Sequence, residues 1–293
     1  MTSEPFSTEP MSQGTSANSE IDQLDDSAIP EEILGSAYPQ MQEFHRLLQE
    51  EGLLRGLIGP RDVSIIWERH ILNSAAVVPF ITKHLESHHG SGRIADIGSG
   101  GGFPGIVIAA MLPDAPITLI EPMERRVEWL EMVKHELHLR NVTVLRARAE
   151  EAFPNSRNDG AASHHSRKAI HRTENTVADA ERRSSGFLDG HSDAYAGNDG
   201  KQSVLSNTVS TTIQPCSIVT CRAVAPLHRL VGWTLPFLEH SGQLIALKGK
   251  SAQVEIDKAA KNIKRLKGKN PRVVEAEVGG GLQATHVVLI DKI

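Results

Sequence analysis

Short apolar runs alternate, over residues 93–293, with longer stretches in which apolar side chains recur every three or four positions. The runs at 93–97, 117–121, 142–145, 218–221 and 243–247 have the length of buried strands. Between them, helices are expected at 104–111, 123–139, 226–238 and 251–266, the second carrying Val127, Leu130, Val133 and Leu137 along one side. Segments 272–278 and 285–290 read as a closing strand pair joined by the turn Gly279-Gly280-Gly281. Upstream, Met41, Phe44, Leu47, Leu48 and Leu54 have helical spacing. So do Val63, Ile66, Trp67, His70, Ile71, Ser74, Val77 and Val78. Strands and helices alternating in this way predict a three-layer α/β sandwich around a mostly parallel sheet. No internal repeat interrupts the pattern.

Two segments lack the pattern. Residues 1–30 are rich in Ser, Thr, Glu, Gln and Pro, and are expected to form a disordered acidic arm. Residues 154–215 read as a disordered low-complexity insertion, with seven basic and seven acidic residues that cancel. The remainder is one domain in two pieces, 31–153 (a helical cap and the first half of the sheet) and 216–293 (the second half). His164 and His165 have no Cys or acidic partner at ligand spacing, so no metal site is expected.

Composition narrows the setting. Of 293 residues, 39% are hydrophobic and 23% charged, a globular balance. No stretch offers the roughly 18 consecutive apolar residues that span a bilayer. The amino terminus lacks the basic and apolar regions of a secretory signal. Cys216 and Cys221 cannot build a disulfide framework, and five apart on one strand they would face opposite sides. These features predict a cytoplasmic protein. The net charge of −5 is unevenly spread: residues 1–32 carry eight acids and no Lys or Arg, whereas 216–293 carry twelve basic and six acidic residues. An acidic arm beside a basic working surface fits that asymmetry.

The densest chemistry lies at Asp96-Ile97-Gly98-Ser99-Gly100-Gly101-Gly102-Phe103-Pro104-Gly105, between the first strand and its helix. Glycines let a backbone turn tightly and approach a ligand closely. Gly100, Gly102 and Gly105 satisfy a dinucleotide fingerprint, which alone is weak. Asp96 ahead of Gly98, and the space that five glycines leave for the amino-acid part of a ligand, favour S-adenosylmethionine over NAD. Glu121 closes the second strand, placed to take ribose hydroxyls.

With these residues in place, the chain resembles the bacterial small-subunit ribosomal RNA methyltransferase G family, in its high-GC Gram-positive branch. The likeness rests on Trp67-Glu68-Arg69-His70-Ile71-Leu72-Asn73-Ser74, the glycine loop, Arg146-Ala147-Arg148-Ala149-Glu150-Glu151, Cys221-Arg222-Ala223 and Ala246-Leu247-Lys248-Gly249-Lys250. It covers residues 40–153 and 216–293. The resemblance implies a class I, Rossmann-like S-adenosylmethionine-dependent methyltransferase with a seven-stranded sheet. It implies transfer of the methyl group to N7 of a guanosine in the decoding-region loop of 16S rRNA, within the 30S subunit or a precursor; separately, a monomer is expected. It also carries cofactor contacts onto Gly98, Phe103, Ala149, Glu150 and Arg222. Asp96, Gly100, Gly102 and Glu121 join that set from the loop reading.

Arg222 and Lys248 close the fourth and fifth strands on the side where parallel sheets bind ligands, and His70 marks the family's helical segment. These three are expected to act by position and charge, with no general base. Lys258, Lys261, Lys264, Arg265, Lys267 and Lys269 form either a solvated face or a phosphate-binding one. A small-molecule methyltransferase remains the alternative, and a NAD-binding oxidoreductase a more distant one.

Overall fold

A sheet of seven strands in the order β3-β2-β1-β4-β5-β7-β6 organises the computed structural model, which describes residues 21–152 and 213–293. The strands are β1 (Ile94–Ile97), β2 (Ile117–Ile120), β3 (Val142–Leu145), β4 (Cys216–Arg222), β5 (Leu238–Lys248), β6 (Gly268–Ala276) and β7 (Thr285–Lys292). All seven expected strands are present. β1 to β5 pair in parallel, and β7 runs antiparallel between β5 and β6. The expectations for residues 1–20 and for 153–212, including His164 and His165, lie outside the described residues.

β1 is buried at all four positions, as expected for a strand covered on both faces. One face packs with Met41, Phe44, Trp67, Ile71 and Ile81 of the amino-terminal helices and with helix Gly105–Met111. The other packs with Leu230, Val231, Ile256 and Ile263 of helices Leu227–Thr234 and Ala252–Arg265. Those two layers are the expected sandwich. The chain turns outward from β1 to β2 and β3, then returns to place β4 on the other flank of β1. Ligand crevices in open parallel sheets form at such a reversal, beyond the carboxyl ends of the strands.

Four expectations need correction. Residues 21–30 belong to the fold: Asp22 is buried, and helix Ile29–Leu34 follows it. Polarity hid this, because the apolar residues of the segment are few while its carboxylates are the anchors. Asp22 Oδ2 accepts from the Trp67 amide at 3.0 Å and lies 3.2 Å from His45 Nε2. Asp25 Oδ1 accepts from Trp67 Nε1 at 3.1 Å.

The helical spacing over 63–78 resolves into a 3-10 turn at Pro60–Ile65, a wide π turn at Trp67–Leu72 and a new helix, Val78–Ser87. Pro79, without an amide hydrogen, suits the first turn of that new helix and not the interior of a longer one. Upstream, helix Tyr38–Leu47 likewise gives way to a π turn at Leu48–Gly52.

The expected helix 226–238 stops at Thr234, and a 3-10 turn at Leu235–Phe237 leads into β5. Finally, β4 shifts register between Cys216 and Ile218. Two steps along β4 there answer five along β5, and Cys216 and Cys221 pack into the same apolar layer. Both are free thiols, and burial pushes each up to about 12.

Candidate active site

A cavity of about 460 Å³ opens beyond the carboxyl ends of β1 to β4. Its floor is the glycine loop, contributing Gly98, Ser99, Gly100, Gly101 and Phe103. Gly98 has φ +71°, and a Cβ there would come within 2.9 Å of Val224. Gly100 has φ +56°, and a Cβ there would stand in ordinary contact with Arg126 Nη1 and the Gly98 carbonyl, both at 3.8 Å. The loop lines the cavity, while Trp129 Nε1 braces it by donating to the Gly101 carbonyl at 3.1 Å.

Glu121 lines the cavity with both carboxylate oxygens anchored, Oε2 by the Gly100 amide at 2.9 Å and Oε1 by the Met123 amide at 3.0 Å. A carboxylate so held keeps further lone pairs for a ligand's hydroxyls. Ala149 and Glu150, on the short helix Ala149–Ala152, form an adjoining wall. Arg222 and Ala223 supply the wall across from them, with Ala223 at φ +54°, a left-handed conformation unusual for alanine. Such strain concentrates at functional sites.

Arg222 is the most constrained of these groups. Its guanidinium lies 4.5 Å from the centre of the Phe103 ring, and it donates to the Arg69 carbonyl at 3.1 Å and to His70 Nδ1 at 2.7 Å. His70 also stacks on Phe103, with ring centres 5.0 Å apart. An arginine can only donate, so Nδ1 accepts and the imidazole proton sits on Nε2. Asp62 Oδ2 lies 3.3 Å from that nitrogen, and Asp62 Oδ1 pairs with Arg69 at 2.9 Å. Burial first, then the Arg222 charge, push His70 down to about 4, against the pull of Asp62. Burial also lowers Arg222 to about 10, so it stays a cation at neutral pH while His70 is neutral.

The structure brings Gly98, Gly100, Phe103, Glu121, Ala149, Glu150 and Arg222 to one cavity, and leaves four expected residues off its lining. Asp96 is fully buried behind the loop, its Oδ2 accepting from the Gly105 amide at 3.2 Å, and burial pushes its carboxyl up to about 7. Gly102 turns inward, facing Ile106 and Phe44. His70 reaches the site only through Arg222 and Phe103. Lys248 is tied away from it, donating to the Ala225 carbonyl at 2.7 Å and to Glu255 Oε2 at 2.8 Å. Closing a strand does not fix which way a long side chain turns, and an acid across the loop claims this one. Sequence reasoning missed Asp62, Arg126 and Trp233. Arg126 and Trp233 line the cavity from helices Glu124–Glu136 and Leu227–Thr234, whose spacing marks only their core faces.

The model of the family described as rRNA small subunit methyltransferase G matches this chain over residues 37–177 and 169–283. The Ribosomal RNA small subunit methyltransferase G of Bifidobacterium adolescentis is 49% identical, covering 92% of this chain and 96% of that protein. The protein of the same name from Bifidobacterium longum is 46% identical, over 92% of this chain and 99% of its own length. That from Beutenbergia cavernae is 35% identical, over 87% and 90%. Every segment that carried the resemblance falls within the matched residues, and the cavity is assembled from them. The chain belongs to the rRNA small subunit methyltransferase G family.

Proposed function

We propose that the chain methylates N7 of a guanosine in the decoding-region loop of 16S rRNA, with S-adenosylmethionine as methyl donor. It acts in the cytoplasm, as a monomer, on the 30S subunit or a precursor of it. Among the described residues no helix is long and apolar enough to cross a membrane. The observation that carries the reading is the convergence on one cavity of the glycine loop, Ala149-Glu150 and Arg222, three separated segments of the family.

The residues present fit the cofactor. The cavity beside Gly100 accommodates an amino-acid moiety, the anchored Glu121 suits ribose hydroxyls, and Ala149-Glu150 suits an adenine edge. Gly98 and Phe103 complete that contact set. Asp96 and Gly102 hold the loop from behind. S-adenosylmethionine supplies an electrophilic methyl group on a positively charged sulfur.

What the chain itself supplies is orientation. Guanine N7 has an in-plane lone pair and no proton to lose, so its methylation calls for no general base. His70 matches that requirement, because Arg222 already occupies the lone pair of its Nδ1. His70, with Asp62 behind it, is a positioning residue for Arg222. Two of the five guanidinium N–H donors are committed, and the remainder serve the cofactor carboxylate or guanine O6. Lys248 positions Ala223–Ala225 through its hold on the Ala225 carbonyl. The exposed Lys258, Lys261 and Lys264, opposite the buried Ala252, Ile256, Ala259 and Ile263, form part of the RNA-facing surface.

The test is to incubate the protein with labelled S-adenosylmethionine and either 30S particles or bare 16S rRNA from a methylation-deficient strain, then map the product. One N7-methylguanosine in the decoding-region loop is expected. Label on no RNA, with label on a small acceptor, would replace this reading by that of a small-molecule methyltransferase. In parallel, Gly100→Val places a branched side chain on the cavity lining and is expected to abolish heat on calorimetric titration with S-adenosylmethionine. Tight NAD binding by the wild type, with none of S-adenosylmethionine, would sink the cofactor assignment.

A further inference from the structure

A second cleft, of about 500 Å³, lies at the other end of the sheet. The cofactor cavity sits beyond the carboxyl ends of β1 to β4. This cleft is built on Ser241 and Gln243 near the start of β5, on the start of β6, and on the last residues of the antiparallel β7. Its cations are Lys83, Lys269, Arg272 and Lys292, joined by His84 and His88.

Among the described residues one carboxylate, Asp291, lines the cleft, and it is already engaged. It accepts from Gln243 at 2.7 Å and from Asn270 at 3.0 Å, and pairs with Arg272 at 3.3 Å. Lys292 is held in place by its bond to the Leu266 carbonyl at 2.7 Å. His84 is only 7% exposed, stacks on His88 with ring centres 4.2 Å apart, and engages the Ser241 backbone. Fixed positive charge in excess over one engaged carboxylate suits an anion, and His84 and His88 edge the same cleft.

We propose that this cleft is a second phosphate site, and that its occupant is a phosphodiester stretch of the RNA substrate remote from the methylated base. The inference rests on the RNA reading above. Its donors are long side chains from three elements, with no glycine loop in the lining to cradle a terminal phosphate. That arrangement suits singly charged phosphates along a strand. Cations at both ends of the sheet would set the orientation of a large RNA particle before any base reaches the cavity.

The test compares wild type with a Lys83→Glu, Lys269→Glu double variant, which spares Arg272 and its hold on Asp291. Affinity for 16S rRNA is expected to fall at least tenfold at low salt. The slope of log affinity against log salt should become shallower by about 1.4, at about 0.7 for each lost single-strand phosphate contact. KM for RNA rises, while kcat and S-adenosylmethionine affinity stay at wild-type values. Equal RNA affinity and slope in a variant that still binds cofactor, beside an active wild type, overturns this inference alone. A wild type that neither binds nor methylates rRNA removes the reading of function and this inference with it. Ring resonances of His84 that move with inorganic phosphate, and not with an RNA fragment, would assign the cleft to free phosphate and reject the RNA occupant.

Discussion

Asp96 and His70 both feel the charge of Arg222, yet burial moves their titrations in opposite directions. Asp96 titrates at about 7 in the folded chain against 3.8 when free, so between those values the folded protein keeps a proton that the unfolded chain has lost. Its contribution to stability therefore falls as pH rises from about 4 to 7. His70 titrates at about 4 against 6.5, so its contribution rises over nearly the same interval. Measured on the cofactor-free protein, the melting temperature of wild type minus that of Asp96→Asn is expected to decline from pH 4 to 7. A pH-independent difference would mean that the carboxyl is ionised throughout. The kinetic counterpart concerns His70. Single-turnover methylation on saturating RNA is expected to be flat from about pH 6 to 9, and His70→Gln should lower it by the same factor at every pH. A rate that climbs with pH in wild type and not in the variant would identify a catalytic base. Asp96 also shows where reading the sequence stops. β1 is buried on both faces, so no alternation of polar and apolar positions told which way its acid points.

At the scale of elements, the strands were legible because each is a short apolar run between punctuating residues. Their irregularities were not. The register shift after Cys216 depends on how β4 meets β5, and nothing in Cys216-Ser217-Ile218 announces it. The amino-terminal segment was misread for a related reason. Its value lies in two carboxylates whose partners, His45 and Trp67, are remote in sequence. Asp22 is the keystone, with a side chain closed to solvent. Burial disfavours its charge, but hydrogen bonds from His45 and from the Trp67 and Leu24 amides hold it below the usual carboxylate range. Asp22→Ala strands these donors in the core and is expected to cost about 2–4 kcal/mol in denaturant unfolding. The loss should be accompanied by weaker cofactor binding, because Trp67 opens the turn that carries His70. A change below about 0.5 kcal/mol would mean that the segment merely rests on the surface.

At the scale of the whole molecule, the site is a property of the sheet and its order of strands. The glycine loop, Glu121 and Arg222 could be named from sequence because they end strands at the reversal beside β1. Asp62 and the cleft at the far end arise only when distant segments meet. Residues 153–212 interrupt this assembly at one point, between β3 and β4. Replacing them with a short Gly/Ser linker is expected to leave the melting temperature and S-adenosylmethionine affinity close to wild type, and a large loss of either would make the segment part of the fold. The basis for that expectation is a single backbone bond, in which the Ile213 amide donates to the Ala152 carbonyl at 3.1 Å. The described residues on either side of the segment are thus neighbours. Closing a loop across so small a gap costs only about 0.6 kcal/mol more for each doubling of its length. The junction is therefore a port that tolerates inserted length. Ala149 and Glu150 stand on the helix that ends at this port. A fluorescent domain spliced in at this junction would sit one helical turn from the wall of the cavity, where occupancy by a ligand could be read as light.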